Sequence, residues 1–70
     1  PFPGSDFSGS NLTGANFYGS NLKGANFSGA LLTGANLKAA NLEGAVNAVL
    51  GDAITDDRTV CPSGVFGPCQ

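Results

Sequence analysis

Few residues in this 70-residue chain have the type and spacing to do chemistry, and the two thiols come first. Cys61 and Cys69 are the only cysteines, eight positions apart around PSGVFGP. A structural zinc site needs four Cys or His ligands, and the chain has two Cys and no His. A dithiol redox motif wants C-x-x-C spacing, which is also absent. Two readings remain, a disulfide or a pair of buried free thiols. Pro62, Gly64, Gly67 and Pro68 bend the intervening loop enough to bring the sulfurs together. A bridge closing so short a loop is worth roughly 2.5 kcal/mol in the chain-entropy model, and it implies an oxidising compartment.

The densest charges are Asp52, Asp56 and Asp57, whose carboxylates are calcium-type oxygen ligands. Their spacing fits no EF-hand loop, so a solvated acidic turn beside Arg58 is the plainer expectation and no metal is expected. Ser8, Thr13, Ser28 and Thr33 carry hydroxyls, but without imidazole nothing activates them as nucleophiles. No catalytic site and no cofactor is expected.

Composition narrows the partners. Three basic against five acidic residues give a net charge of −2, which cannot build the positive field that nucleic acid or an anionic membrane requires. No apolar run approaches the roughly 20 residues of a spanning helix, so direct membrane insertion is not expected. Leu, Ile, Val and Phe supply 17 of the 70 residues, too many for a chain held disordered by charge. A single small domain is the size limit.

What must position these groups is a repeat. From Ser5 the chain reads SDFSG, SNLTG, ANFYG, SNLKG, ANFSG, ALLTG, ANLKA and ANLEG, ending at Gly44, and AVNAV then keeps only the Ala. Each unit has a large apolar centre: Phe7, Leu12, Phe17, Leu22, Phe27, Leu32, Leu37 and Leu42. Two residues before each centre stands Ser or Ala, and two after it stands Gly, with Ala39 the exception. Period five fits neither a long helix nor a long strand. A short extended segment puts the small residue and the centre on one side and the residue between them, usually Asn, on the other. The last two positions then turn the chain, and Gly at the second suits the positive φ of a type II turn. The outward Asn or Asp is placed to bond the nearby backbone at that corner.

These units resemble the A-(N/D)-(L/F)-x-G pattern of the pentapeptide-repeat family. The resemblance covers about 40 residues continuously. It implies an all-β fold, a right-handed quadrilateral β-helix of about two coils with four units to the coil, closed by a disulfide-linked C-terminal cap. Residues twenty apart then stack. Phe7 lies under Phe27, Leu12 under Leu32, Phe17 under Leu37 and Leu22 under Leu42. Outside, Lys23 meets Glu43, Tyr18 meets Lys38, and Asn16 and Asn21 form ladders with Asn36 and Asn41. Expected boundaries are 1–4 for an N-terminal cap, 5–49 for the β-helix and 50–70 for the C-terminal cap with its Cys61–Cys69 loop.

Such a coil is only about 10 Å tall, and repeat folds bury each face solely against neighbours, so both ends need covering. Pro1 and Pro3 cannot donate to a ladder, and Phe2 is placed to act as a lid. Asn47 occupies a centre slot above Phe27, where a bare amide is costly, so the coil is expected to open there, with Leu50, Ile54 and Val60 closing the top. Leu31 and Val46 put apolar side chains where Asn is the rule and are expected beneath a flanking segment or a partner. Val65 and Phe66 lie either in a small core under the disulfide loop or at a contact.

The expectation that follows is a non-enzymatic structural and protein-interaction module, with Tyr18, Leu31, Val46 and Phe66 as candidate docking residues. The segment DDRTVCPSG and the second Cys resemble the C-terminal ends of pentapeptide-repeat proteins exported to the thylakoid lumen or periplasm. That resemblance implies a small accessory subunit or assembly partner on the lumenal side of a photosynthetic membrane complex. The alternatives are a free-standing lumenal or periplasmic protein, self-associating or without partner, and a DNA mimic that protects gyrase. The last is disfavoured by weak charge and by a height matching only about 3 base pairs of rise.

Overall fold

The structure, a computed structural model, describes residues 4–69. The expected cap at Pro1–Pro3, Phe2 included, lies outside the described residues. The described residues contain no helix; they form short parallel backbone pairings joined by tight turns, as the repeats of a β-helix require.

Each five-residue unit builds one side of the coil for a local reason. The centre's carbonyl accepts a hydrogen bond from the N–H three residues on, as from Ser10 to Phe7 (3.0 Å) and Ala15 to Leu12 (2.9 Å). The turn's second residue has positive φ, 70° at Gly9 and 72° at Gly14, as a type II turn demands. The outward Asn or Asp holds the corner. Asp6, Asn11, Asn16, Asn21, Asn26, Asn36 and Asn41 each accept, on Oδ1, the N–H two residues on, at 2.9 to 3.2 Å. The stacked amides of Asn16 with Asn36 and Asn21 with Asn41 thus commit Oδ1 to their own corners, while their backbones pair. Leu31 has no such oxygen, so its corner lacks this bond.

Four faces result. Face one pairs Asp6, Asn26 and Val46; face two pairs Asn11 with Leu31; face three pairs Asn16, Asn36 and Ile54; face four pairs Asn21, Asn41 and Val60. The register is twenty residues through Val46. It then drops to eighteen between Asn36 and Ile54 and is nineteen between Asn41 and Val60. Backbone pairing therefore continues past residue 49 into a shortened terminal row, residues 44–61.

The interior holds the small residues and centres. Leu22, Phe27, Leu37 and Leu42 are fully buried, with Ala25, Ala35 and Ala40 beside them, and Leu32 and Phe17 are nearly so. Phe7 and Leu12, in the first row, are half-buried and pack against this core. The Phe7 and Phe27 rings stack at 5.4 Å with their planes 9° apart, and Phe17 meets Phe7 edge-on at 5.6 Å. Lys23 and Glu43 meet at 3.6 Å, both more than half exposed, an ion pair that marks the register and stabilises by about 0–1 kcal/mol.

At Asn47 the coil opens as expected, and two expectations about the top of the coil change. Asn47 leaves the interior: it is exposed, has φ 55°, and donates from Nδ2 to Ser28 Oγ at 2.9 Å. Leu50 is buried at the top as expected, but Ile54 is 44% exposed, because it falls on the outward register of Asn36. Val60 likewise falls on the outward register of Asn41, and Thr59, Cys61 and Cys69 are the residues buried there beside Leu50.

Candidate functional site

The feature that separates one end of the coil from the rest is the identity of its outward residues. The first row shows Asp6, Asn11, Asn16 and Asn21. The terminal row shows Val46, Ile54 and Val60 at the same positions, and Val49, which stands one residue before the buried Leu50 as Leu31 does before Leu32. β-Branched side chains suit extended backbone but supply no oxygen for a corner. They are also poorly covered: Val46 is 45% exposed, Val49 74% and Ile54 44%.

A polar knot around the buried Thr59 holds this row to the one below. In the lower rows a Gly N–H at the corner donates to a carbonyl of the next row, as Gly19 does to Lys38. At Ala39 the acceptor is instead the Asp56 carboxylate, at 3.1 Å. The same oxygen accepts the N–H groups of Arg58 (3.0 Å) and Thr59 (3.1 Å). Thr59, fully buried, spends its one hydroxyl proton on the Leu37 carbonyl at 2.9 Å and accepts the Asp56 N–H at 3.0 Å. Burial pushes the Asp56 carboxyl up, but the hydrogen bonds from Ala39, Arg58 and Thr59 outweigh it and hold the group below its ordinary value. Asp6 is also held low, by the Ser8 hydroxyl and then the Ser8 N–H. With its donors in place, Asp56 is a structural clamp, and no cluster of three metal-ligating side chains occurs among the described residues.

Above the knot the chain doubles back. Phe66 pairs antiparallel with Val60, through Cys61 N–H to Val65 O and Gly67 N–H to Thr59 O, both 2.7 Å. The Cys61–Cys69 disulfide, Cα atoms 5.7 Å apart, ties this strand down, and the Cys69 N–H reaches Thr55 Oγ1 at 2.9 Å. Gly67 is pressed against the coil: a Cβ there would stand 2.5 Å from the Asp56 carbonyl oxygen, so no side chain fits. Between the disulfide loop and the segment bearing Ala48 and Leu50 lies an open concavity of about 390 Å³, walled also by Pro62, Val65 and Pro68.

The charge is unevenly placed. Asp6 offsets Lys23 and Lys38 offsets Glu43, which leaves Asp52, Asp56 and Asp57 against Arg58 and puts the whole −2 in residues 44–69.

Of the candidate docking residues, Tyr18 is 56% exposed at a first-row corner, Leu31 55% on face two, Val46 45% on face one and Phe66 69% beside face four. No flanking segment among the described residues covers Leu31 or Val46. The four do not converge on one patch. Val65, 61% exposed, and Phe66 form no core beneath the disulfide loop: Val65 only lines the wall of the open concavity there. Sequence reasoning missed Val49, and it placed Ile54 inside. The signal was the run of β-branched residues in AVNAVLGDAIT, but their facing depends on a register shift that no periodicity carries.

Against known families, a model of pentapeptide repeats matches residues 2–29 and 10–46, with eight copies. No curated protein matches the chain.

Proposed function

Because the chain belongs to the pentapeptide-repeat family, whose members are in general non-enzymatic structural and interaction modules, we propose that it serves as a small accessory subunit or assembly partner on the lumenal side of a photosynthetic membrane complex. One observation carries the docking role: a rigid, internally hydrogen-bonded coil leaves Val46, Val49, Ile54, Val65 and Phe66 exposed, on several faces of its terminal row and cap, where the lower rows mostly show Asn. The disulfide supports an oxidising compartment. Placement in the thylakoid lumen, rather than the periplasm, rests on the likeness of DDRTVCPSG to exported family members. A DNA-mimicking role finds no support in the geometry, since the outward columns are mainly neutral Asn and the charges of residues 4–43 cancel, leaving the net −2 at one end.

The test is capture of a tagged chain from detergent-solubilised thylakoid membranes, with sedimentation of the purified protein alongside. Co-purification of one membrane complex in fixed stoichiometry is the expected result. A protein that sediments as a 6.9 kDa monomer in the membrane extract itself, with nothing bound, would overturn the proposal.

A further inference from the structure

We propose that the C-terminal end of the coil receives an extended peptide in which apolar side chains alternate with basic ones, paired with the open backbone of residues 48–50 just past the corner at Asn47. The inference rests on the reading of this chain as a docking module and names the chemistry of what docks.

Three observations converge on that segment. First, its backbone is open. Among the described residues, the N–H groups of Asn47, Ala48, Val49 and Leu50 and the carbonyls of Ala45 and Ala48 have no hydrogen-bond partner. Asn47, with φ 55°, is a left-handed corner, so the unpaired groups that β-strand addition can satisfy lie in the stretch just after it, at Ala48, Val49 and Leu50. The same end already accepts one antiparallel strand on face four, where the Val65–Gly67 segment completes the edge. The cap thus covers one side of the mouth and leaves the side at residues 48–50 open.

Second, the concavity of about 390 Å³ lies directly beside this edge, between Ala48 and Leu50 on one wall and Val65, Pro68 and the disulfide on the other. An added strand turns alternate side chains to one side. That side meets the concavity, where Leu50, Val65, Pro68 and the disulfide offer apolar contact to Val, Ile or Leu beside a polar share from Ser63 and the backbone.

Third, the charge selects the other side chains. All of the −2 charge sits in residues 44–69, and Asp52 and Asp57 are exposed. A second copy docked end to end brings −2 against −2, and an anionic bilayer is repelled in the same way. A peptide with Lys or Arg at the outward positions is attracted.

The probe is a fluorescein-labelled heptapeptide alternating Lys and Val, titrated with the intact, oxidised protein and read by anisotropy. Saturable binding is expected, weakened at least tenfold when Glu replaces Lys, when alternate peptide nitrogens are methylated, and when the protein carries Val49→Lys. Val49 is 74% exposed, so that substitution leaves the fold intact, and the methylated peptide tests the strand geometry without altering the protein. Hydrogen exchange should slow at Ala48, Val49 and Leu50. Failure to saturate, indifference to N-methylation or to Val49→Lys, or protection confined to another face would overturn the site. So would a homodimer that Val49→Lys abolishes, since the end would then serve self-association. The two proposals fail separately. If wild type and Val49→Lys capture the same membrane complex, docking stands and this site falls. If the peptide binds and no membrane complex is captured, the site stands and the membrane role falls.

Discussion

Ala39 is the one repeat-rule violation that the fold tolerates under visible strain, and replacing it with Gly should make the protein more stable. Its φ is 60°, in the same left-handed region as the corner glycines from Gly4 to Gly44, whose φ values run from 67° to 73°. Holding an L-residue there costs about 1–2 kcal/mol. Glycine also has more freedom to lose on folding, about 0.4–1 kcal/mol, which works against the substitution. The difference favours Ala39→Gly by about 0.5–1 kcal/mol. The Ala39 N–H bond to Asp56 is a backbone bond and survives the change. For a domain this small the expected rise in Tm is about 3–6 °C. Gly29→Ala is the mirror experiment. Its φ is 70°, and the new Cβ would lie 3.8 Å from Gly9 Cα, ordinary contact, so the cost is conformational alone and the Tm should fall by a similar amount. Thermal and urea unfolding followed by circular dichroism measure both, with the disulfide kept oxidised. A lower Tm for Ala39→Gly, or a neutral Gly29→Ala, would refute the idea that left-handed corners limit the stability of this coil.

Reducing Cys61–Cys69, or replacing both with Ser, should cost roughly 2.5 kcal/mol, read as a lower urea midpoint with the slope little changed. A slope that drops sharply would mean that the cap unfolds separately from the coil. Acid is the third perturbation. Because Asp56 is held below its unfolded value, its contribution is complete above the ordinary Asp pKa, near 4, and drains away as the pH falls through that value to the lower folded one. The Tm should therefore be flat from about pH 8 to 5 and decline below about pH 4. Asp56→Asn, which keeps the accepting oxygen but cannot titrate, should show a shallower decline; an identical acid limb in the two proteins would exclude Asp56 as its source.

Much of this protein was legible without coordinates because each unit is locally sufficient. The alternation of small residue, Asn, Leu or Phe, and Gly is enough to dictate which side chain is buried, which oxygen holds the corner and where φ turns positive. Phe27, Leu22 and Asn21 are placed by spacing alone, and the two thiols have few alternatives to each other. The residues that matter for docking became readable only in three dimensions. Once the repeat lapses after Val46, the facing of Val49 and Ile54 depends on how many residues the chain spends in a corner, and that number is set by which backbone groups pair across rows. Asp56 taking the place of a carbonyl above Ala39, and Phe66 folding back over Val60, are likewise contacts between segments with no common period. A repeating pattern determines its own register, whereas the end of a repeat is determined by whatever satisfies the last exposed edge.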